Sequence, residues 1–198
     1  MAFIEKTAFE ARITNNDREN LSHIAGVYQA AEANADCSAG LLCVRNGQIP
    51  CEGFTGVYNE NTWYMKAATT ADNAESVIYA CDTYDVQLLP GKGGKLYAVG
   101  AETLGLGVPA GRYGNFTRID FDGQSVYRFG EGNVTLNTES DKFFTIDNGV
   151  LTSTATKPVT DGALYFELRG TGKFTEGAGQ SFGYYDLVAC KPVVAAGC

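Results

Sequence analysis

The sequence predicts a mainly β protein, an antiparallel sandwich or barrel with one short N-terminal helix or arm. Three observations predict this class. Short runs rich in β-branched and aromatic residues dominate the chain from residue 41 onward. Gly, Asn and Asp separate these runs, and some separators are Asn-Gly or Asp-Gly, which favour hairpin turns. Gly and Pro together make up roughly 15% of the chain, too little for a low-complexity segment.

The first 36 residues contain the only helical pattern in the sequence. Asn16 and Glu19 have the spacing of a capping box. The apolar residues that follow recur at three- and four-residue intervals: Leu21, Ile24, Val27 or Tyr28, and Ala31. This pattern predicts an amphipathic helix of about four turns. Gly26 disfavours a helix interior, so the alternative is an extended arm that is ordered by packing on a neighbour.

Residues 37–198 are predicted to form the β body. Its candidate strands are 41–45, 62–67, 76–81, 85–89, 95–99, 116–121, 125–129, 133–136, 142–146, 150–154, 163–168 and 183–190. Four dipeptides are predicted hairpin turns: Asn46-Gly47, Asp122-Gly123, Asn148-Gly149 and Asp161-Gly162. The glycine-rich stretch 105–114 is the candidate boundary if the body is divided into two lobes.

The charge and the start of the chain limit the classes of partner. Fifteen Lys and Arg against 23 Asp and Glu give a net charge of −8, so nucleic acid and anionic lipid are not expected partners. No apolar stretch is long enough to span a membrane, and charged residues interrupt the first twelve, so we expect neither a membrane span nor a signal peptide. Synthesis in a cytoplasm predicts reduced thiols at all six cysteines: Cys37, Cys43, Cys51, Cys81, Cys190 and Cys198.

No catalytic, cofactor or metal motif is present in the sequence. His23 is the only histidine, no C-x-x-C pair occurs, and the lysine-containing glycine stretch 91–95 lacks the spacing of a phosphate loop. Several carboxylates could converge in the fold, although no pattern singles out a pair: Glu52, Glu60, Asp82, Asp85 and Glu131. We therefore predict no enzyme activity, no cofactor and no metal, and keep an enzyme with a carboxylate pair as the least favoured hypothesis.

Clustered aromatic residues are the candidate contact surface. Residues 58–65 and 179–186 place aromatic rings beside Asn and Gly, a mixture suited to binding a protein or a sugar. The simpler interpretation is that Trp63 and its neighbours form a core strand. Together with the apolar stripe of the predicted helix, these stretches supply the candidate interface residues: Leu21, Ile24, Tyr28, Trp63, Tyr64 and Tyr185.

Four stretches resemble small head-associated proteins of tailed bacteriophages and prophages: 41–47 (LLCVRNG), 61–64 (NTWY), 80–84 (ACDTY) and 122–130 (DGQSVYRFG). The resemblance implies a non-enzymatic virion protein, in particular a capsid decoration protein that binds the major capsid protein lattice and stabilises the head, with self-association into oligomers. A tail-tube or head-completion protein is the related alternative. A carbohydrate- or receptor-binding β module is the alternative from a different functional class.

Overall fold

The computed structural model describes residues 6–13, 23–72, 75–82, 87–90, 96–99, 107–160, 162–175 and 181–192. Within these residues the chain forms β-strands, one short 3-10 turn at Glu131–Asn133, and no α-helix. It follows that no helix suited to crossing a membrane is found in the described part of the chain. The mainly β class predicted from the sequence is confirmed.

The strands have the following bounds: β1 Phe9–Ile13, β2 His23–Ala30, β3 Ala33–Asn34, β4 Cys37–Ser38, β5 Leu42–Pro50, β6 Tyr58–Ala67, β7 Tyr79–Cys81, β8 Gln87–Pro90, β9 Leu96–Val99, β10 Gly107–Val108, β11 Gly114–Arg118, β12 Val126–Gly130, β13 Val134–Thr135, β14 Phe143–Asp147, β15 Val150–Thr154, β16 Tyr165–Thr175 and β17 Ser181–Cys190. Every predicted run overlaps one of these strands. β1, β2, β3, β4 and β10 were not predicted as strands.

Two large sheets organise the molecule. The seven-stranded sheet has the order β1-β12-β17-β16-β14-β15-β13, with only the β13–β15 pair parallel. The second sheet has the order β11-β7-β5-β6-β2-β3, and β11 also pairs with β2. That additional pairing closes five of its strands into a small barrel, in which β2 and β6 run parallel. β4 pairs with β10 and β8 with β9 in two separate ribbons.

One wall of the barrel packs against the seven-stranded sheet, which makes the arrangement sandwich-like. Side chains alternate across a strand, so β5 and β7 supply residues to both sides of this wall. Leu42 and Ala80 face the sheet and join the main core, whereas Cys43 and Tyr79 face the barrel interior. From the sheet side the main core receives aromatic and aliphatic side chains, among them Phe9, Phe129, Phe144, Phe166 and Leu187.

The helix predicted in the N-terminal segment is wrong over residues 23–30, which form strand β2. Ile24 and Tyr28 are four residues apart, a spacing that places two side chains on one face of either a helix or a strand. Both side chains lie in the barrel core, with Gly26 between them. β2 pairs with β6 and β11 of the same chain, so it is also not an arm ordered by a neighbour. Asn16, Glu19 and Leu21 lie outside the described residues.

The sequence predicts a boundary between residues 1–36 and a β body at 37–198, but strands from both segments share the same sheets. β1 is a member of the seven-stranded sheet and β2 of the barrel, so both segments belong to the β body. The chain passes from the barrel to the seven-stranded sheet after β11, beyond the glycine-rich stretch that was the candidate lobe boundary. That boundary stays a prediction, because residues 101–106 lie outside the described part of the chain.

The turn predictions have mixed outcomes. Asn148-Gly149 joins β14 to β15 with both residues at positive φ, as predicted. Asn46-Gly47 is not a turn but lies inside β5, where the register shifts. Asp122-Gly123 links strands of different sheets, with the Asp122 carboxylate accepting from the backbone N–H groups of residues 124 and 125. β15 and β16, on either side of the fourth dipeptide, are not neighbours in the sheet, and Asp161 lies outside the described residues.

Candidate interaction surface

The outer half of the β5–β6 hairpin projects beyond the barrel. β6 pairs with β2 only over residues 62–65, and of residues 58–61 only Tyr58 is paired with a described strand, opposite Pro50 of β5. Residues 45–48 of β5 are all exposed. Neighbouring side chains point to opposite faces of a strand, so both faces of β5 meet solvent over these four residues, whereas the next residue, Ile49, is buried. We name residues 46–61 the β5–β6 arm.

Three large hydrophobic side chains are exposed near the end of the β5–β6 arm. Phe54 is 68% exposed, Val57 48% and Tyr58 53%. We name these three residues the tip cluster. Single exposed hydrophobic residues are ordinary on protein surfaces, but three within five positions on a projecting hairpin form a local apolar surface. Such a surface is typical of a contact site for another molecule.

Backbone hydrogen bonds hold the tip cluster in place. The N–H of Cys51 donates to the carbonyl oxygen of Val57 at 2.8 Å, and the N–H of Phe54 donates to the carbonyl oxygen of Cys51 at 3.3 Å. Gly53 and Gly56 adopt φ angles of +82° and +75°, which allow the chain to reverse within a short loop. The exposed rings are therefore presented on a hydrogen-bonded loop.

The arm carries negative charge only. Glu52 and Glu60 flank the tip cluster, and the sequence has no Lys or Arg between Arg45 and Lys66. A partner surface that is apolar where it meets the tip cluster and basic only beside Glu52 and Glu60 would complement this arrangement.

Arg45 lies at the base of the arm, over two aromatic rings. Its guanidinium carbon is 4.4 Å from the centroid of the Trp63 ring and 5.2 Å from that of Tyr79. Tyr79 is buried in the barrel core, and Trp63 is partly buried against the same core. Arg45 is exposed, so its guanidinium covers the rings from the solvent side.

The structure does not support Ile24 and Tyr28 as surface contacts. They are 6% and 8% exposed, because β2 turns both side chains into the barrel. Burial raises the pKa of the Tyr28 hydroxyl to about 12, with a smaller contribution from the thiols of Cys43 and Cys37. Leu21, the third residue of the predicted stripe, lies outside the described residues.

The remaining candidate interface residues are not brought together. Trp63 and Tyr64 lie on β6 in the barrel, where they are partly buried. Tyr185 lies on β17 and packs against the main core, with its ring centroid 6.2 Å from that of Phe144. Burial raises the pKa of Tyr185. Trp63 packs against the barrel core, which agrees with the simpler interpretation of its stretch as a core strand, and Tyr185 packs against the main core.

Sequence reasoning missed Phe54 and assigned Tyr58 only to a general aromatic stretch. Phe54 lies between two glycines of the segment 51–58 (CEGFTGVY), outside every predicted strand. A large aromatic residue between turn glycines is the one local signal that could have marked it. Phe54 is exposed because β2 pairs with β6 only over residues 62–65 and does not extend to this loop. The local sequence does not show where that pairing ends.

The stretch 179–186 contributes a stacked ion pair on the outer face of the seven-stranded sheet. Arg128 donates from Nε and Nη2 to the two carboxylate oxygens of Asp186, at 2.8 and 2.9 Å. Its guanidinium carbon lies 3.6 Å from the centroid of the Tyr184 ring. The bond to Asp186 raises the pKa of Arg128.

Two of the titratable residues that the sequence singled out, His23 and Asp82, both contact the hydroxyl of Thr117. The Thr117 hydroxyl donates to Oδ2 of Asp82 at 2.8 Å and lies 3.0 Å from Nδ1 of His23. Thr117 is fully buried, so its hydroxyl is not accessible to a substrate as a nucleophile. Burial raises the pKa of Asp82.

The other flagged carboxylates are on different elements. Glu131 accepts from Lys6 and from the N–H of Gly183, both at 2.7 Å, and the bond from Lys6 lowers its pKa. Glu52 and Glu60 belong to the arm, and Asp85 lies outside the described residues. Among the described carboxylates of this set, Asp82, Glu131 and the two arm glutamates therefore lie in three different parts of the fold.

The described cysteines are free thiols: Cys37, Cys43, Cys51, Cys81 and Cys190. Cys37, Cys43 and Cys81 are buried in the barrel core, where they pack as small apolar side chains. Burial raises the pKa of Cys37 well above its ordinary value. The described residues contain no cluster of three or more potential metal ligands, and Cys198 lies outside them.

No protein-family model, curated protein or solved structure matches this chain. The function proposed below is therefore argued from two surface features, the β5–β6 arm and Arg45.

Proposed function

We propose that the protein is a non-enzymatic virion structural protein that attaches to an assembled protein lattice, most specifically a capsid decoration protein on a phage head. The observation that carries this proposal is the tip cluster of Phe54, Val57 and Tyr58 on the projecting β5–β6 arm. An apolar side chain at the end of a hydrogen-bonded hairpin can enter a pocket on a neighbouring surface with little loss of conformational entropy.

The energetics of a single tip are modest but suit a repeating lattice. Burying one Phe side chain contributes about 1.5–3 kcal/mol, which does not by itself give a stable complex. Attachment through several copies, or through an oligomer placed on a symmetry axis, raises the effective affinity by roughly 10² to 10⁴. The net charge of −8 favours solubility at the high copy number that decoration requires.

The resemblance of the four sequence stretches to head-associated phage proteins supports the same proposal. Under this proposal, the partners are the major capsid protein lattice and further copies of this chain. A tail-tube or head-completion role would also use an apolar contact between copies in an assembly. A decoration role is favoured because a projecting tip is suited to attachment at a surface.

Undecorated phage heads provide the test. Purified protein mixed with heads should co-sediment with them in a saturable manner. Phe54→Ala should weaken this binding at least about tenfold, the loss typical of an interface hot spot. Val159→Ala is the matched control, because Val159 is 78% exposed but belongs to the connection between β15 and β16 and not to the arm, and it should bind like the unmodified chain.

Two results would contradict the proposal. Unchanged binding by Phe54→Ala would show that the tip cluster is not the contact. If the unmodified chain bound no head but bound a glycan array saturably, the carbohydrate- or receptor-binding module would replace the decoration protein as the function.

A further inference from the structure

Among the residues that the structure describes, two arginines stack on aromatic rings, and one of these two has a carboxylate partner there. Arg128 lies over Tyr184, and Asp186 takes two of its N–H groups. Arg45 lies over Trp63 and Tyr79 in a similar way, but no ion pair joins it to any described residue. The other arginines in ion pairs are Arg12, Arg118 and Arg169.

We infer that Arg45 is a receptor for a side-chain carboxylate carried by an acidic segment of the partner protein. This inference rests on the proposed function for its partner, and it identifies the chemistry of one contact. The carboxylate would occupy at Arg45 the place that Asp186 occupies at Arg128.

The stacking prepares Arg45 for this role. A guanidinium that lies on aromatic rings keeps its N–H groups directed outward in its plane, where a carboxylate can accept two parallel hydrogen bonds. Contact with Trp63 and Tyr79 also restricts the rotamers of the long side chain, so less entropy is lost on binding. An ammonium group at this position would supply the charge without the paired donors.

The same geometry favours a peptide over a sugar. Sugar rings are commonly bound by stacking on an exposed aromatic face, but Arg45 covers the solvent side of Trp63. The same indole also packs against the barrel core. Trp63 is only partly exposed, whereas Arg45 is exposed, and a guanidinium selects a carboxylate. Arg45 also lies on the hairpin that carries the tip cluster, so one protein partner could contact both.

The net negative charge of the chain does not prevent this contact. At physiological ionic strength the Debye length is about 8 Å, so charges elsewhere on the surface are largely screened from a carboxylate bound at Arg45. The binding experiment is therefore done at that ionic strength.

Trp63 is the only tryptophan of the chain, so its emission reports directly on this site. The probe is a short blocked peptide with adjacent Asp and Glu residues, titrated to millimolar concentration, with the Asn and Gln version as the neutral control. We expect a saturable change in Trp63 emission, and in the NMR signal of the Arg45 Nε–H group, with the acidic peptide only.

Three variants separate the roles of charge and geometry. Arg45→Gln should weaken binding of the acidic peptide about tenfold, the effect of losing a hydrogen-bonded ion pair. Arg45→Lys should recover part of that loss, because it restores the charge but not the paired donors. Arg112→Gln should bind like the unmodified chain, since Arg112 is also exposed and without an ion pair in the described structure but has no aromatic ring beneath it.

The inference is overturned if neither readout responds to the acidic peptide, or if Arg45→Gln responds as the unmodified chain does. Tighter binding of a glucuronate oligosaccharide than of the peptide would assign the site to carbohydrate instead. Because the titration uses no phage heads, its failure is distinct from a failure of the proposed attachment. Co-sedimentation that depends on Phe54 but not on Arg45 would leave the function standing and remove this contact from it.

Discussion

Gly26 occupies a position inside the barrel that has no room for a side chain. A Cβ atom there would lie 2.5 Å from Cγ of Met65, 3.1 Å from the Phe116 ring and 3.1 Å from the carbonyl oxygen of Trp63. The Met65 side chain could move, but the Trp63 carbonyl belongs to the strand paired with β2. The residue that argued against a helix in the sequence is therefore required by the close packing of the strand.

Replacing Gly26 should destabilise the protein through overpacking. Gly26→Ala is expected to lower the free energy of unfolding by about 1–3 kcal/mol, the usual range for a methyl group forced into a packed core. Urea denaturation followed by circular dichroism measures this change. Gly170→Ala is the matched control, because Gly170 is also in a strand but nothing lies within 4 Å of the position that its Cβ would take, and it should change the free energy of unfolding by less than about 0.5 kcal/mol. An equal effect of both variants would contradict the packing argument.

At the scale of elements, two Asn-Gly dipeptides adopt different roles. Asn148-Gly149 lies between Asp147 and Val150, which pair directly across the β14–β15 hairpin. Asn46-Gly47 is followed by three more residues of β5, and the chain reverses only in the loop before Tyr58. A dipeptide can allow a turn, but the pairing of the flanking strands decides whether the turn forms there.

The two glycines should respond differently to the same substitution. Both have positive φ, so Gly47→Ala is expected to cost about 1–2 kcal/mol of folding stability from backbone strain alone. Gly149→Ala should cost clearly more, because its Cβ would also lie 2.8 Å from the Leu41 side chain and 3.0 Å from the Leu42 carbonyl oxygen, whereas nothing lies within 4 Å at Gly47. Thermal unfolding of both variants measures the difference. If Gly47→Ala lowered the folding stability more than Gly149→Ala, the assignment of Gly149 to a packed turn and of Gly47 to an open bulge would be wrong.

At the scale of the whole molecule, the main core joins the two large sheets. Leu42 and Ala80 of the barrel wall pack with Phe144 and Phe166 of the seven-stranded sheet. The buried Asn133 adds a polar link: its amide oxygen accepts from the N–H of Ala8 at 2.9 Å, and its amide nitrogen donates to the carbonyl oxygen of Ala39 at 2.8 Å. A shared core of this kind favours cooperative unfolding.

Destabilising the sheet should therefore destabilise the barrel. Phe166→Ala removes a fully buried ring from the sheet side of the main core and should cost about 3–5 kcal/mol. The fluorescence of Trp63, which lies in the barrel, should then show unfolding with a midpoint at a lower urea concentration. Phe54→Ala makes the same chemical change at an exposed position and should leave the midpoint unchanged. A Trp63 transition that did not move in Phe166→Ala would show that barrel and sheet unfold as separate lobes.

The sequence by itself determined the β class and the location of most strands. These properties are local, because β-branched and aromatic runs and the residues between them act on their own backbone. The run 150–154 has the same bounds in the prediction and in the structure. The net negative charge and the presence of a single tryptophan also follow directly from the sequence.

Tertiary structure decided the features that depend on distant partners. The spacing of Ile24 and Tyr28 fits a helix and a strand equally, and only pairing with β6 and β11 made β2 a strand. The candidate surface changed for the same reason: barrel closure buried Ile24 and Tyr28, while the arm left Phe54 exposed. Exposure is set by which strands meet in space, and strand pairing over long sequence separations cannot be read from a local pattern.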